Sequence, residues 1–286
     1  MYLFKRVDQL REFLSSARTN NRTVGFIPTM GALHDGHLSL IKRSLAENQV
    51  TVASIFVNPT QFNEASDLQK YPRTPGKDLE LLAKVGCTVA FLPEVSDMYP
   101  PELDTTLSLD FGGLDQSMEG EKRPGHFDGV AQVVKRLLDI VSPEFLYMGQ
   151  KDYQQQLIVR SMVQQLNIST TVITVPTVRE ADGLAMSSRN VRLTPELREG
   201  ATILHQTLEG AREKLSQGES IDRIEKWAIQ ALSQPKFQPE YFTIANADTL
   251  QPIPANDPLP ERIVACTAVW ADDVRLIDNL MLAGQL

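Results

Sequence analysis

Two histidines three residues apart, His34 and His37, flank a glycine in the segment Pro-Thr-Met-Gly-Ala-Leu-His-Asp-Gly-His at residues 28–37. Histidine donates hydrogen bonds and changes charge near neutral pH, and Gly36 permits close approach of a ligand to the backbone. The apolar runs before and after the segment predict a strand, a turn and then a helix, whose N-terminus favours an anion. The layout is suited to phosphate. The alternative is a helix capped by Asp35 with two solvated imidazoles.

Apolar strands and amphipathic helices alternate along the first 178 residues, which predicts a parallel sheet covered on both faces. In such a sheet, ligands bind beyond the carboxyl ends of the strands. The predicted fold class is therefore α/β, with a Rossmann-like doubly wound parallel sheet. The predicted strands are 24–27, 50–57, 88–92, 144–148 and 170–175; helices follow near 38–45, 75–85, 127–141 and 153–166, and a polar loop spans 58–74.

The pattern changes beyond residue 190. A helix start at Thr194 is followed by two predicted helices to about Ser233, and then by two apolar strands at 241–244 and 262–269. This order is typical of a smaller α+β domain. We expect a catalytic domain at residues 1–178, a flexible junction at residues 179–190 and a C-terminal lid domain at residues 191–286.

Composition narrows the class of partner. The chain has 36 acidic and 28 basic residues, a net charge of −8, which disfavours nucleic acid and anionic membranes as partners. We find no apolar run of membrane-spanning length and no signal-peptide core, so we expect a cytoplasmic protein. Cys87 and Cys266 lie in separate apolar runs and are expected to be buried free thiols.

Four of the predicted strands are followed closely by a candidate residue, namely His34, Asn58, Lys151 and Val178, so four segments can face one crevice. Lys151 can neutralise phosphate, and Asp152 can accept hydrogen bonds from ribose hydroxyls or hold a metal through water. A solvated Lys-Asp pair is the alternative. For Asn58, capping of its own turn is as good an explanation as substrate binding.

Further polar groups lie at other predicted helix starts and on the junction. They are Gln61, which can bind a hydroxyl or carbonyl group; Arg123 and His126 before a helix; Gln155 after Lys151; and Met186-Ser187-Ser188-Arg189, which can close over phosphates. The segment Tyr71-Pro72-Arg73 with Asp78 can instead pack and form ion pairs at the surface.

Six ordered motifs across residues 24–192 closely resemble the pantothenate synthetase (pantoate–β-alanine ligase) family. They are P-T-M-G-A-L-H-D-G-H, F-V-N-P-T-Q-F, Y-P-R-T, R-P-G-H-F-D-G-V, G-Q-K-D-Y-Q-Q and R-E-A-D-G-L-A-M-S-S-R-N. The resemblance implies a nucleotidylyltransferase fold in which residues 34–37 correspond to the "HIGH" signature and residues 186–189 to the "KMSKS" loop. Ala185 replaces the leading lysine of that loop, and Arg189 supplies the charge.

The resemblance implies ATP-dependent condensation of (R)-pantoate with β-alanine to pantothenate through a pantoyl adenylate, with release of AMP and pyrophosphate. It also implies Mg²⁺ as a cofactor and a homodimer. Met148 stands where an aromatic residue is common, and Lys77 stands where a second acid can occur beside Asp78. The second difference puts metal binding by that loop in doubt.

The resemblance also implies the roles of particular residues. The catalytic group is His34, His37 and Lys151. The residues expected to bind ATP are Met30, Gly31, Ala32, Leu33, His34, Asp35, Gly36, His37, Gly149, Gln150, Lys151, Asp152, Val178, Met186, Ser187, Ser188 and Arg189. Those expected to bind pantoate are Asn58, Gln61, Arg123, His126 and Gln155; Gln61 also faces β-alanine, and Asp78 is the candidate metal ligand.

Two other classes of function compete with this assignment. A zinc hydrolase could use His34, His37 and His126 as ligands, although no further ligand group accompanies them. A nucleotide- or tRNA-binding module without ligase activity is the second, but the acidic balance disfavours tRNA, and the full set of polar motifs disfavours an inactive protein.

Overall fold

The computed structural model describes residues 1–61, 65–255 and 257–286. Its larger sheet has six strands in the order β1-β4-β3-β2-β5-β6, and all neighbouring strands run parallel. The strands are β1 (Tyr2–Phe4), β2 (Val24–Thr29), β3 (Val50–Ile55), β4 (Val89–Phe91), β5 (Phe145–Gly149) and β6 (Thr171–Val175). The predicted α/β class is confirmed.

Helices cover both faces of this sheet. They are α1 (Val7–Thr19), α2 (Asp35–Glu47), α3 (Ala65–Lys70), α4 (Pro75–Val85), α5 (Val95–Met98), α6 (Glu119–Lys122), α7 (His126–Val141) and α8 (Tyr153–Gln165). Phe26 packs on the face covered by α1, α7 and α8, and its neighbour Ile27 packs on the face covered by α2 and α4. Because both faces of the sheet are covered, its central strands β2, β3 and β4 are largely buried and mostly apolar.

The strand order reverses at β2. From β2, the chain proceeds through β3 to β4 on one side and through β5 to β6 on the other. The loops that follow β2 and β5 therefore leave the sheet in opposite directions, and a crevice opens between them, where open α/β sheets bind their ligands. His34 follows β2, and Lys151 follows β5.

A second, three-stranded antiparallel sheet forms the C-terminal part of the chain. The helices of this part are α9 (Pro195–Gly200), α10 (Ile203–Ser216) and α11 (Ile221–Leu232). The strands of the sheet are β7 (Phe237–Asn246), β8 (Ile263–Ala271) and β9 (Val274–Ala283). Leu204 and Leu208 of α10 and Ile224 of α11 are fully buried and pack in one cluster with side chains of the sheet. The predicted smaller α+β unit is present.

Several elements differ from the sequence-based expectations. The short edge strand β1 and helix α1 were not predicted, and the expected polar loop at 58–74 contains α3. Three helices rather than two follow Thr194, because the chain turns at Ala201 and Thr202 between α9 and α10. The strand β9 was also missed, since Asp278 and Asn279 interrupt its apolar pattern. Phe62, part of one motif, lies outside the described residues.

No helix in the described part of the chain has both the length and the apolar character needed to cross a membrane. Cys87 and Cys266 are buried and not disulfide-bonded, as expected. Burial raises the pKa of the Cys87 thiol to about 11, so it is uncharged at neutral pH.

Gly25 is a position in β2 where a side chain cannot fit. A Cβ there would lie 2.1 Å from Ser44 Oγ, 2.6 Å from Asn48 Nδ2 and 2.9 Å from the Tyr147 ring. We expect Gly25→Ala to lower the free energy of unfolding by about 1–3 kcal/mol, the usual cost of overpacking.

Denaturant unfolding measures this effect, and Gly76→Ala is the matched control. Gly76 is an exposed helical residue of α4 whose added Cβ would meet nothing within 4 Å. Alanine favours a helix over glycine, so the control should leave stability unchanged or raise it. Equal effects of the two substitutions contradict the prediction.

Candidate active site

A cavity of about 850 Å³ lies at the carboxyl ends of β2, β5 and β6. Most of the predicted site residues line it: Met30, His34, Gly36, His37, Gln61, Arg123, His126, Gly149, Lys151, Asp152, Gln155, Val178, Met186, Ser187, Ser188 and Arg189. The other predicted residues are not part of its wall: Gly31, Ala32, Leu33, Asp35, Asn58, Asp78 and Gln150. The structure thus brings together five segments that are far apart in sequence.

The two histidines form a reciprocal cap at the start of α2. His34 is the N-cap residue, and its Nδ1 accepts the backbone N–H of Gly36 at 3.2 Å. His37 Nδ1 accepts the backbone N–H of His34 at 3.3 Å. The alternative in which Asp35 caps the helix is therefore wrong. Gly36 must be glycine here because a Cβ would lie 2.8 Å from His34 Cε1.

This cap fixes the tautomer of both rings. Burial, reinforced by the charge of Lys151, lowers the pKa of His34 to about 4. Burial and the neighbouring His34 lower the pKa of His37 to about 3. Both rings are neutral at pH 7, and because Nδ1 accepts a hydrogen bond in each, Nε2 carries the proton. Each histidine therefore offers a ligand an uncharged Nε2–H donor.

Asp78 of helix α4 holds the loop that precedes the cap. Gly31 and Ala32 both have left-handed backbone conformations, with φ of 83° and 49°. Asp78, fully buried, accepts the backbone N–H of Ala32 at 3.0 Å and that of Leu33 at 2.8 Å, one on each carboxylate oxygen. Thr74 Oγ1 donates to the same carboxylate at 3.2 Å. Asp78 thus stabilises a loop conformation that is unfavourable for alanine.

Asn58 is buried beside the cavity and holds the turn that carries Gln61. Its Nδ2 donates to Thr60 Oγ1 at 2.9 Å and to the carbonyl of Gly129 at 3.2 Å. Its Oδ1 accepts from the Tyr99 hydroxyl at 3.1 Å. These contacts use the polar atoms of Asn58 within the protein and favour the turn-capping explanation.

Gln61 and His126 are linked at the cavity wall. His126 Nδ1 lies 2.8 Å from the backbone carbonyl of Gln61, so this nitrogen carries the proton and donates. His126 Nε2 then accepts from Arg123 Nη1 at 3.1 Å. Burial and the charge of Arg123 lower the pKa of His126 to about 4. The side-chain Nε2 of Gln61 lies 3.1 Å from Met30 Sδ, a weak acceptor that a ligand oxygen can displace.

Lys151 lies on a short 3-10 turn, Gln150–Asp152, between β5 and α8. Its ammonium is 3.8 Å from Asp152 Oδ1, and its side chain is 18% exposed against 50% for Asp152. The lysine therefore faces the cavity more than solvent. Gln155 lines the cavity one turn later, whereas the Nε2 of Gln154 donates to the carbonyls of the 114–117 segment.

The segment that follows β6 returns to the helix mouth. Arg179 and Ala185 pair as an antiparallel bridge, and the N–H of Met186 donates to the carbonyl of Val178 at 3.0 Å. Ser188 Oγ donates to the carbonyl of Ala32 at 3.0 Å. The guanidinium of Arg189 lies 5.8 Å from the centre of the Tyr71 ring. Ser188 therefore joins this segment directly to the loop before α2.

The second sheet contributes cavity residues that the sequence did not indicate. They are Glu240, Tyr241, Trp270, Arg275, Ile277 and Asp278, opposite Glu119 and Lys122 of α6. Arg275 binds both carboxylate oxygens of Glu119 at 2.7 Å, and the Tyr241 hydroxyl donates to Glu119 at 2.8 Å. Burial alone would raise the pKa of Glu119, but the Arg275 guanidinium outweighs burial and holds that pKa below its ordinary value.

The zinc-hydrolase alternative is not supported by the side chains that the structure describes. Among residues 1–61, 65–255 and 257–286, no group of three or more His, Cys, Asp or Glu residues is placed to hold a metal ion. His34 and His37 use Nδ1 within the cap, and His126 uses both ring nitrogens on Gln61 and Arg123.

A parallel sheet whose strand order reverses beside a histidine-capped helix mouth defines an α/β protein suited to binding a phosphorylated ligand. Comparison with known proteins narrows this class. The family model described as pantoate-beta-alanine ligase matches residues 2–281. A pantothenate synthetase of Porphyromonas gingivalis is 45% identical over 281 residues, covering 98% of this chain and 99% of the relative.

Comparison with solved structures points to the same family. Pantothenate synthetase from Thermus thermophilus superposes with a TM-score of 0.92 at 42% identity, covering 99% of this chain and 100% of that one. A pantoate-beta-alanine ligase from Francisella tularensis, complexed with beta-gamma ATP and beta-alanine, gives a TM-score of 0.77 at 35% identity, covering 99% and 98%. The chain belongs to the pantoate–β-alanine ligase family, which confirms the resemblance seen in the motifs.

The two neutral histidines make stability depend on pH. In the unfolded chain, histidine is protonated below about pH 6.5. In the folded protein, His34 stays neutral down to about pH 4 and His37 down to about pH 3. The free energy of unfolding is therefore highest above pH 6.5 and falls as pH decreases towards these values.

His37→Asn keeps an acceptor for the cap but cannot be protonated. We expect its free energy of unfolding to fall less steeply between pH 6.5 and 4, by up to about 1.4 kcal/mol per pH unit relative to the unaltered protein. Urea unfolding at several pH values measures the slope, and at pH 8 the two proteins should show the same pH dependence. Parallel curves throughout would refute the neutral, buried state of His37.

Proposed function

We propose that the protein catalyses the ATP-dependent condensation of (R)-pantoate with β-alanine to pantothenate, through an enzyme-bound pantoyl adenylate. The observation that carries the proposal is the pair of neutral Nε2–H donors at the mouth of α2, in one cavity with Lys151. Family membership supports the choice of substrates.

In the first step, a carboxylate oxygen of pantoate attacks the α-phosphorus of ATP. The new P–O bond forms as the bond to the bridging oxygen breaks, and pyrophosphate leaves with that electron pair. Repulsion between the two anions is the first obstacle, and the partial positive charge of the α2 N-terminus and the ammonium of Lys151 reduce it. No proton transfer is needed.

His34, His37 and Lys151 then stabilise the transition state. Charge builds up on the α-phosphate oxygens and on pyrophosphate, and donors fixed in advance need no reorganisation to meet it. The two rings are held by the helix cap, so their Nε2–H groups have fixed directions. We assign Ser187, Ser188 and Arg189 to the β- and γ-phosphates. The backbone at Gly149 and Val178 and the side chain of Asp152 take the adenosine.

Mg²⁺ enters, in our proposal, with ATP as part of the substrate. Asp78, the candidate metal ligand, accepts backbone N–H groups on both oxygens and is fully buried outside the cavity wall. These contacts do not fit a resident metal site. We assign Asp78 to the support of the loop at Gly31–Leu33.

In the second step, the neutral amine of β-alanine attacks the acyl carbon, the bond to the phosphate oxygen breaks, AMP leaves, and the new amide nitrogen loses one proton. Gln61 and Gln155 hold the oxygens of pantoate, and Gln61 also lies near the amine. Arg123 and His126 complete the pantoate wall. The mixed anhydride is sensitive to water, and the aromatic residues of the second sheet help to exclude solvent.

We further propose that residues 191–286 act as a lid on the catalytic part at residues 1–178, with the segment 179–190 as the junction. A homodimer remains our expectation from the family resemblance. A location in the cytoplasm, without nucleic-acid or membrane partners, remains our expectation from the charge and the apolar pattern of the sequence.

The ligase activity is tested by AMP release. The purified protein should form AMP from ATP only when both pantoate and β-alanine are present. Lys151→Ala should lower the rate of adenylate formation about a hundredfold or more, the usual loss when one charge-stabilising donor is removed. Pyrophosphate release in the presence of pantoate measures this step.

Lys135→Ala is the control for this substitution, because Lys135 is on α7 and its ammonium pairs with Asp139 at the surface. It should keep the full rate. Rapid pyrophosphate release by Lys151→Ala would exclude Lys151 from the first step, and AMP release without pantoate would exclude the proposed reaction.

Gln155→Ala should weaken the use of pantoate more than that of ATP. Loss of one hydrogen bond of about 0.5–1.5 kcal/mol raises the apparent KM for pantoate about two- to twelvefold. Gln165→Ala, at the exposed end of α8, is the control and should change neither KM. An unchanged KM for pantoate in Gln155→Ala shows that this side chain does not hold the substrate.

A further inference from the structure

Two neighbouring buried residues of β9 contact the catalytic half of the molecule. Asn279 is 2% exposed, and its Nδ2 donates to the backbone carbonyl of Gln150 at 3.0 Å and to that of Lys151 at 2.8 Å. These two carbonyls belong to the 3-10 turn that carries the Lys151 side chain. A residue of the second sheet therefore binds the backbone of the catalytic lysine itself.

Asp278, also 2% exposed, holds the other phosphate-facing segment. Its carboxylate accepts from Arg179 Nη1 at 2.6 Å and from Nη2 at 3.0 Å. Arg179 also donates to the carbonyls of Gly183 and Asn279, both at 3.1 Å. Arg179 pairs with Ala185 immediately before the Met186–Arg189 segment, so Asp278 fixes the base of that segment.

The chemistry of the contacts explains why the residue at 279 is an amide. Both amide hydrogens of Asn279 are used on consecutive carbonyls, which can only accept, while its Oδ1 has no hydrogen-bond partner among the described residues. If the amide were turned over, its Oδ1 would face the carbonyl oxygens of Gln150 and Lys151 and repel them. Burial of two polar side chains in the middle of β9 is costly unless they form hydrogen bonds. The partners of Asp278 and Asn279 lie outside the second sheet, on segments that line the cavity.

We propose that Asn279 and Asp278 are positioning residues for the adenylation site: Asn279 sets the position of Lys151, and Asp278 sets that of the Met186–Arg189 segment through Arg179. The inference rests on the proposed role of Lys151 in the first step. Neither residue touches the reacting atoms in this assignment. Each acts through the backbone or side chain that it holds.

The test is a double-mutant cycle on the release of pyrophosphate in the presence of pantoate. Asn279→Asp keeps the shape of the side chain but replaces the donor with a charged acceptor that faces two carbonyls. We expect it to lower the rate about ten- to hundredfold, the range expected for displacement of a catalytic group by about 1 Å. Asn279→Ala, which removes the donor without adding charge, is made in parallel and should give a loss in the same direction.

The cycle separates positioning from a general loss of stability. If Asn279 acts through Lys151, then adding Asn279→Asp to Lys151→Ala should change the residual rate less than about twofold, because the group being positioned is already absent. Radiolabelled ATP keeps this low rate measurable. The same fractional loss in both backgrounds would overturn the proposal, as would a wild-type rate in either Asn279 variant.

Thr170→Val is the matched control. Thr170 is buried, and its Oγ1 donates to the carbonyl of Pro143 at 2.7 Å at the amino ends of β5 and β6, opposite the cavity. It should lower stability by the loss of one buried hydrogen bond and leave the rate unchanged. Failure of the unaltered protein to form AMP overturns the proposed function instead, so the two failures are distinguishable.

Discussion

The hydrogen bonds that begin α2 determine the chemistry of the whole cavity. His34 and His37 cap the helix through Nδ1, and burial keeps both rings uncharged, so the protons must lie on Nε2. The same hydrogen bonds thus fix the helix start, the tautomers of both rings and the two Nε2–H donors in the cavity. The spacing of three residues between the histidines is the spacing at which a side chain reaches back to the N-cap backbone.

The positive charge of the site comes from Lys151. Asn279 of the second sheet holds the turn that carries this lysine. Lys151 is attached to the turn after β5, and Ser188 connects the segment after β6 to the loop before α2. On the opposite side, Arg275 and Glu119 form a largely buried ion pair across the cavity wall. Burial of such a pair costs desolvation, and its two hydrogen bonds join α6 to β9.

Local patterns predicted the elements that are continuous in sequence. The apolar strands β2, β5 and β6 were predicted correctly because each signal is complete within about ten residues. The strand β9 was missed because Asp278 and Asn279 look like loop residues until their partners at Arg179 and Gln150 are known. Likewise, Asp78 and Asn58 were recognised as polar groups of interest, but whether such a group faces a ligand or a backbone N–H depends on tertiary contacts.

The contact of Asn279 with the Lys151 turn has a consequence for the order of assembly during synthesis. The sheet pairs strands in order of appearance from β2 to β4, and β5 joins β2 only after about 120 residues have intervened. The turn that carries Lys151 then lacks its amide partner until residue 279 has been made. A nascent chain that ends before β9 lacks Asn279, so this contact holds the Lys151 turn only after β9 has been made.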